Sequence, residues 1–384
     1  MLHAVSLAAV GLLFLSFCYF GLAIAGIVGF GRKLRAVAPT DGSAPVTILK
    51  PLCGLEADLA ENLRSFCEQD YATYQIVFGV RDRNDPAVAV IARIQAEYPE
   101  QDISLVVDDR TVGRNYKISN LANMMAAAKY DILAISDSDM RVGPDYLRTI
   151  AAPFTRNDVG AATCLYSGSA RGGLASKLGA MYVNDWFLPS ALLPAMVGDL
   201  EFCFGATMVV RRRILENFGG FEALADYLAD DYMLGKRVVE QGYRIALVPY
   251  VVENVICEPG LRSLFLHELR WARTIRSVQP VGYALSTITE ILPLSVIAAM
   301  AVYAATSSAL PALAILASAL AMRVALHYVV CVTVQAGRAF LPWLIPLRDL
   351  MSLSVRIVSF FGSRIQWREQ TFVIQANNQI AAAE

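Results

Sequence analysis

The chain has 384 residues, 56% of them hydrophobic and 17% charged, with a formal net charge of -1. It is too apolar for an ordinary soluble protein and too charged in its middle for an all-membrane one, so a soluble domain with membrane segments at its ends is expected. Without a global basic field, nucleic-acid binding is discounted, although local basic clusters still suit a lipid surface.

Residues 1–31 read as an N-terminal transmembrane anchor. Val5 to Phe30 is apolar for longer than the ~20 residues a span needs, and no charge precedes Arg32. With no positive n-region and no clear cleavage site, an anchor is expected rather than a cleaved signal peptide. Arg32, Lys33 and Arg35 follow at once, which puts the next segment in the cytoplasm by the positive-inside rule. Residues 32–45 are a linker, rich in Pro, Gly and Ser around Pro39 to Pro45.

Residues 46–260 have the pattern of a globular α/β domain. Val46 to Leu49 is a first strand ending in Lys50-Pro51, Leu59 to Glu68 a helix, and Gln75 to Val80 a second strand. Pro86 opens a helix through Tyr98, and Ile103 to Val107 is a third strand. Gly113, Arg114, Asn115, Tyr116 and Lys117 then lead into an Ala/Met-rich helix to Lys129. The next strand, Ile132 to Ile135, is a continuous apolar run, as expected when both faces are buried, and it runs into Ser136, Asp137, Ser138 and Asp139. Alternating strands and helices predict a Rossmann-like, mostly parallel, doubly wound sheet.

Three polar loops fall at the carboxyl edge of that sheet, where ligands of open α/β sheets sit: Asp82, then Asn115 with Lys117, then Asp137 with Asp139. In extended chain Asp137 and Asp139 share one side, so two carboxylates can converge on a hard cation, Mg2+ or Mn2+, completed by diphosphate oxygens. Turn or helix-cap aspartates are the plainer alternative. A nucleotide is the economical ligand: Asp82 suits a base or ribose, Lys117 a phosphate, and a solvated helix residue is the plainer reading of Lys117. There is no G-x-G-x-x-G after the first strand and no Walker G-x-x-x-x-G-K, which removes dinucleotide enzymes and P-loop NTPases.

Val159 to Thr163 is a further strand, and Leu174 to Leu193 is apolar enough to lie against a membrane. Gly198 to Val210 contains a Gly-Ala-Thr turn into an apolar strand. Asp230 and Asp231 open a helix to Gln241; an N-terminal cap explains such a pair, and beside a metal-diphosphate loop one of them becomes a candidate general base. Residues 261–282 form an amphipathic interfacial helix, centred on Leu264 to Ile275 and carrying His267, Arg270 and Trp271. Residues 283–384 form a C-terminal membrane region and short tail. Leu285 to Ala309 and Pro311 to Val334 are its two spans, with Arg323 and His327 turned to protein or a polar channel. Phe340 to Phe361 holds Arg348, Asp349 and Arg356, and Arg338, Arg364 and Arg368 flank it, so a re-entrant or interfacial helical pair is expected. Seven cysteines lack any Cys-x-x-Cys pair and any nearby His at metal-ligand spacing, and read as small core residues in a reducing compartment.

Taken together, Leu49-Lys50-Pro51-Leu52 with Gly54, Val80-Arg81-Asp82 with Asp85-Pro86, Gly113-x-Asn115-x-Lys117, Asp137-Ser138-Asp139, Gly219-Gly220, Asp230-Asp231-Tyr232 and Arg270-Trp271 form an ordered set. That set resembles the ceramide glucosyltransferase-like glycosyltransferases of family 21, a group that includes the bacterial hopanoid-biosynthesis enzymes, from Val46 to the Trp367-Arg368 tail. The resemblance implies a GT-A fold and inverting transfer from a UDP-sugar to a lipid hydroxyl at the cytoplasmic face of a bacterial inner membrane. It implies that Lys50, Pro51, Asp82, Asn115, Lys117 and Asp137 bind the nucleotide sugar, that Asp137 and Asp139 hold the divalent cation, and that Asp231 is the base. Arg270 and Trp271 match the end of a Gln/Arg-x-x-Arg-Trp motif near the diphosphate and acceptor. His267 stands where that motif has Gln or Arg, and with Asp230 is a candidate acceptor or diphosphate contact. A polyhydroxylated hopanoid receiving N-acetylglucosamine and ceramide receiving glucose are the two acceptor readings. Outside them stand a processive polysaccharide synthase, disfavoured by too few spans for a secretion channel, and a non-enzymatic membrane scaffold, disfavoured by the complete aspartate set.

Overall fold

The computed structural model describes residues 2–36, 44–334, 339–367, 370–375 and 378–382; linker residues 37–43, Arg338 and Arg368 lie outside the described residues. Two compact units result, each made of separate stretches of chain. One comprises Met1–Arg32, Gly168–Met196 and Glu258–Thr371, the other Lys33–Ser167, Val197–Cys257 and Phe372–Glu384.

The second unit is built on a sheet whose parallel half is strands β1 (Val46–Pro51), β2 (Tyr74–Val80), β3 (Ile103–Val107) and β4 (Ile132–Ile135). β1 lies between β2 and β4, with Val46 opposite Tyr74 on one side and Ile132 on the other. The sheet continues through β5 (Met140–Arg141), β6 (Val159–Ala170), β7 (Met208–Arg211) and β8 (Arg244–Ile256), in the order β3-β2-β1-β4-β7-β6-β8-β5. β7 is antiparallel to β4, β6 to β7, and β5 to β8. All four residues of β4 are buried, as its unbroken apolar run requires. Helices Leu59–Cys67 and Ala87–Glu97 place Leu63, Phe66, Ile91 and Ile94 in a core shared with Ile48, Ile76 and Phe78. Each such side chain contributes about 1.5–3 kcal/mol by leaving water.

Two elements differ from expectation here. The helix that opens at Tyr116 ends at Met124 rather than Lys129, because the Gln75 amide captures the next turn: it donates to the Ala127 carbonyl and accepts from the Lys129 N–H, both at 3.0 Å. The long strand β8 was not anticipated, and it carries Asn254 to the site described below.

The first unit is helical. Ser6–Ala36 and Ala309–Val334 are each long and apolar enough to cross a membrane. Across the expected span from Leu285 to Ala309 the chain forms a bent pair, Pro280–Thr289 and Ile291–Thr306, meeting at 65°. Glu290 marks the break: its backbone leaves the helical region and its carboxylate accepts from Arg356 Nε at 2.9 Å. Phe340 to Phe361 yields one helix, Ile345–Ser359, of 15 residues, short of the ~20 needed to span. Arg323 and His327 face protein, as expected. Arg323 pairs with Asp349 at 3.1 Å and Asp185 at 3.0 Å; the His327 ring lies 2.9 Å from Asp185 through Nδ1 and accepts the Leu341 N–H at Nε2, so Nδ1 is the donor. Arg348 forks onto Glu268 at 2.5 and 2.6 Å, both side chains almost wholly buried.

The cysteines only partly meet expectation. None of the seven is in a disulfide, but Cys18, Cys53 and Cys257 are exposed while Cys67, Cys164 and Cys203 lie in the core.

Removing one partner of a buried ion pair leaves an uncompensated charge, which costs about 3–5 kcal/mol, whereas replacing both is close to neutral. Arg348→Met should therefore lower the thermal midpoint in detergent, and the Arg348→Met/Glu268→Met double variant should recover most of it. A single variant melting at the wild-type temperature would show that the pair adds nothing.

Candidate active site

The chain leaves β4 through a tight turn. Met140 N–H reaches back to the Asp137 carbonyl at 3.3 Å, so Ser138 and Asp139 sit in a turn and not in the extended segment expected from the sequence. Almost every polar atom of that turn is held. Lys50 Nζ donates to the Asp137 carbonyl at 2.8 Å, Asn62 Nδ2 to the Ser138 carbonyl at 3.3 Å, and Ser138 Oγ to Glu56 at 2.7 Å. From the antiparallel half of the sheet, Val255 N–H and Asn254 Nδ2 donate to the carbonyl and carboxylate of Asp139, each at 2.8 Å.

The two carboxylates are left half-buried, with different neighbours. Asp137 carries the Lys117 ammonium at 2.8 Å, and the same ammonium lies 3.2 Å from Asp230. Burial works against the Lys117 charge, but Asp137 and Asp230 outweigh it and raise its pKa above the ordinary lysine value. Asp139 has only Asn254 to help it. Burial, then Glu56, then Asp137, push its carboxyl up to about 7.

Asp231, at the start of helix Asp230–Glu240, accepts its own helix's Tyr232 N–H at 2.8 Å. Its other oxygen lies beside Gly205, where a Cβ would come within 3.2 Å of it, so the glycine keeps one side of the carboxylate clear. Burial and the neighbouring Asp230 push Asp231 up to about 7, with Lys117 pulling the other way. A carboxylate near neutrality is matched to proton abstraction.

The sequence placed four further residues of this unit on the nucleotide, and they separate. Asp82 is exposed at the end of β2, in an open cleft of about 660 Å3 lined also by Arg81, Arg83, Val107, Asp108 and Asp109. Pro51 is half-buried at the end of β1. Lys50 and Asn115, by contrast, are fully buried. The Lys50 ammonium packs over the Phe66 ring at 3.6 Å, and burial lowers its pKa to about 7, so this side chain braces the aspartate turn from inside. Asn115 caps the helix that carries Lys117, accepting from Ile118 N–H at 3.1 Å and donating to the Tyr227 carbonyl at 2.9 Å. Glu56, Asn62 and Asn254 were not anticipated. Each lies outside the aspartate motif, and only pairing of β5 with β8, which sets Met140 opposite Asn254, brings the last one in.

His267, Arg270 and Trp271 belong to the helical unit, on helix Leu261–Val278. His267 Nδ1 lies 2.8 Å from Glu258, which also accepts from Ser263. The imidazole packs on Trp271 at 4.3 Å, and Trp271 in turn stacks on Tyr182.

Among the described residues, no three His, Cys, Asp or Glu side chains converge to hold a metal ion. The fit is to a cation that takes Asp137 and Asp139 and completes its shell with ligand oxygens and water, as Mg2+ and Mn2+ do. Asp139 meets that requirement, since it is a half-buried acid whose side-chain hydrogen bond comes from the neutral Asn254 amide and, among the described residues, from no cation.

The family model described as Glycosyl transferase family 21 matches residues 6–380. Ceramide glucosyltransferase 3 of Caenorhabditis elegans is 24% identical over 97% of this chain and 82% of its own length. Ceramide glucosyltransferase 1 of the same organism is 23% identical over 71% of this chain and 59% of its own. Among solved structures, the mannosyltransferase PcManGT of Pyrobaculum calidifontis, in complex with GDP-Man and Mn2+, superposes with a TM-score of 0.58 at 19% identity, covering 94% of this chain and 99% of that one. The likeness makes the fold GT-A-like.

An acid whose pKa is raised keeps its proton until about pH 7, so a cation must displace that proton at any lower pH. Mn2+ affinity should fall roughly tenfold per pH unit below about 7, read by Mn2+ paramagnetic resonance. Asp139→Asn should bind more weakly and lose the pH dependence; a dependence that survives the substitution would place the proton elsewhere.

Proposed function

The chain belongs to glycosyl transferase family 21, and on that premise we propose that it moves a hexose from a UDP-sugar to the hydroxyl of a membrane lipid, with inversion and in a single step. The observation that carries this is Lys117, whose ammonium joins the aspartate turn after β4 to the Asp230–Asp231 helix, so that a leaving-group site and a base adjoin.

Asp82 and Pro51 border the nucleoside, and Lys117 turns from Asp137 to a phosphate when the donor enters. Asp137 and Asp139 would hold Mg2+ or Mn2+, which supplies positive charge for the diphosphate leaving group. Asp231 takes the acceptor proton as the lipid oxygen attacks the anomeric carbon from the face opposite the diphosphate. Asp230 stays paired and fixes Lys117. One base suffices for one inversion, so no side-chain nucleophile is needed. Arg270 and Trp271 are assigned to the diphosphate side and His267 to the diphosphate or the acceptor, on the motif match alone.

The apolar helices Ser6–Ala36 and Ala309–Val334 suit a lipid-embedded enzyme. Arg32, Lys33 and Arg35 favour a cytoplasmic catalytic unit on a bacterial inner membrane. The overall sequence likeness favours a hopanoid acceptor with N-acetylglucosamine. The names of the two C. elegans relatives favour a second reading, ceramide with glucose.

Purified protein with Mn2+, either UDP-sugar and either lipid decides between them by product mass. Glycosylated hopanoid alone fixes the first reading, glucosylceramide alone the second, and a polymeric sugar product would overturn both. Asp231→Asn is expected to bind UDP with wild-type affinity yet lose at least 1000-fold in kcat, on the order of the loss of a general base. Retained turnover would remove the assignment.

A further inference from the structure

The base at Asp231 is approached by a stretch of chain, Ala225 to Ala229, with no helix or ladder of its own. Its backbone groups must find partners elsewhere. On one side they find the loop before helix Tyr116–Met124. Asn115 N–H donates to the Ala225 carbonyl at 2.7 Å, Asn115 Nδ2 to the Tyr227 carbonyl, and Arg114 N–H to the Asp226 carboxylate at 3.1 Å. Gly113 is required for this approach, since a Cβ there would stand 2.6 Å from Ala225.

The other side is covered by residues far along the chain. Leu228 N–H donates to the Asn378 carbonyl at 3.1 Å, Ile380 N–H donates to the Asp226 carbonyl at 2.9 Å, and Tyr227 bridges Gln379 in antiparallel fashion. Arg114 closes the circuit by donating from Nη1 to the Ile380 carbonyl at 3.3 Å. The partner segment is held in its turn. Ile380 and Ala382 pair with Ile374 and Phe372, Gln375 N–H donates to the Gln379 carbonyl, and Ile380 and Phe372 are buried. Asn378 turns the chain at a φ of 65°, a left-handed conformation that Asn and Gly adopt far more readily than other residues.

We propose that the segment Asn378–Ile380 is a strap that positions the catalytic base: it adds a backbone edge to the loop before Asp231 and, with Asn115, fixes where helix Asp230–Glu240 begins. Asn378 is thus a positioning residue. This rests on the assignment of Asp231 as base. A misplacement of about 1 Å at a reacting group costs on the order of 100-fold in rate, while the donor contacts Asp82, Asp137 and Asp139 follow β2 and β4, and Lys117 stays tied to Asp137.

The test is a series at one position. Asn378→Pro cannot adopt positive φ and should lower kcat at least tenfold with the UDP-sugar KM within twofold of wild type. Asn378→Gly keeps the turn and should retain most of the activity, with Asn378→Ala between. UDP binding by calorimetry reports whether each variant is folded. Should the proline variant bind no UDP, the Ala and Gly pair decides: lower kcat for Ala at equal KM supports the strap, and equal kcat overturns it. A proline variant that binds UDP and turns over like wild type, or one that falls no further than the glycine variant, also overturns it. Asp231→Asn run alongside separates the two assignments. If it keeps turnover the base is misassigned; if it is dead while Asn378→Pro is active, the strap is wrong and the base stands.

Discussion

One ammonium organises the catalytic unit. Lys117 lies between Asp137 and Asp230 and also acts on Asp231, while Asp139 feels Glu56 and Asp137, all through a partly dry interior. Lys50, buried and bonded to the Asp137 carbonyl, faces Asp137, Asp139 and Glu56 from the other side, and like charges in so dry a place still repel. Burial first, and the neighbouring carboxylates second, push Asp139 and Asp231 each up to about 7. Their identical displacement serves opposite ends. In the proposed mechanism the first exchanges its proton for a cation, while the second takes the proton of the acceptor hydroxyl.

Much of this was legible in the sequence because it rests on local pattern. A strand buried on both faces must be an unbroken apolar run, and Ile132–Ile135 could be read as such with its bounds unchanged. The aspartates at its end follow from where strands of an open α/β sheet deliver ligands. The supports of those aspartates come from elsewhere in the chain. Asn254 reaches Asp139 only because β8 returns antiparallel beside the two-residue strand β5, and no periodicity near Asn254 points to Asp139. Lys50 and Asn115 mislead for the opposite reason. They occur within motifs of the nucleotide site, yet each spends its polar atoms on backbone, one on the Asp137 carbonyl and the other on Ile118 and Tyr227. Spacing records that a residue belongs to a site; burial decides whether it touches the ligand or the residues that do.

The helical unit was readable in the same partial way. A guanidinium in an apolar helix must face protein, so Arg323 was placed inward from sequence. Its partners Asp185 and Asp349 are distant in sequence and needed the fold. The carboxylate of Glu290 explains why a long apolar run is not one helix. Bonding to Arg356 holds it inside, and the chain bends by 65° there. Hydropathy averages over such a residue, whereas a buried charge within an apolar run dictates where the backbone must turn to reach its partner.

The order of the chain adds a constraint on how activity is acquired. The aspartate turn and the Lys117 helix are synthesised before residue 142, the base by residue 231, and the segment that closes over the base loop only after every helix of the other unit. Domains generally fold as the chain emerges, so the sheet has its donor loops in place well before Asn378 and Ile380 exist. Until then, the stretch from Ala225 to Ala229 has the Asn115 side alone to satisfy its backbone. In the proposed arrangement the loop before Asp231 therefore gains its second backbone edge only after the helical unit has been made.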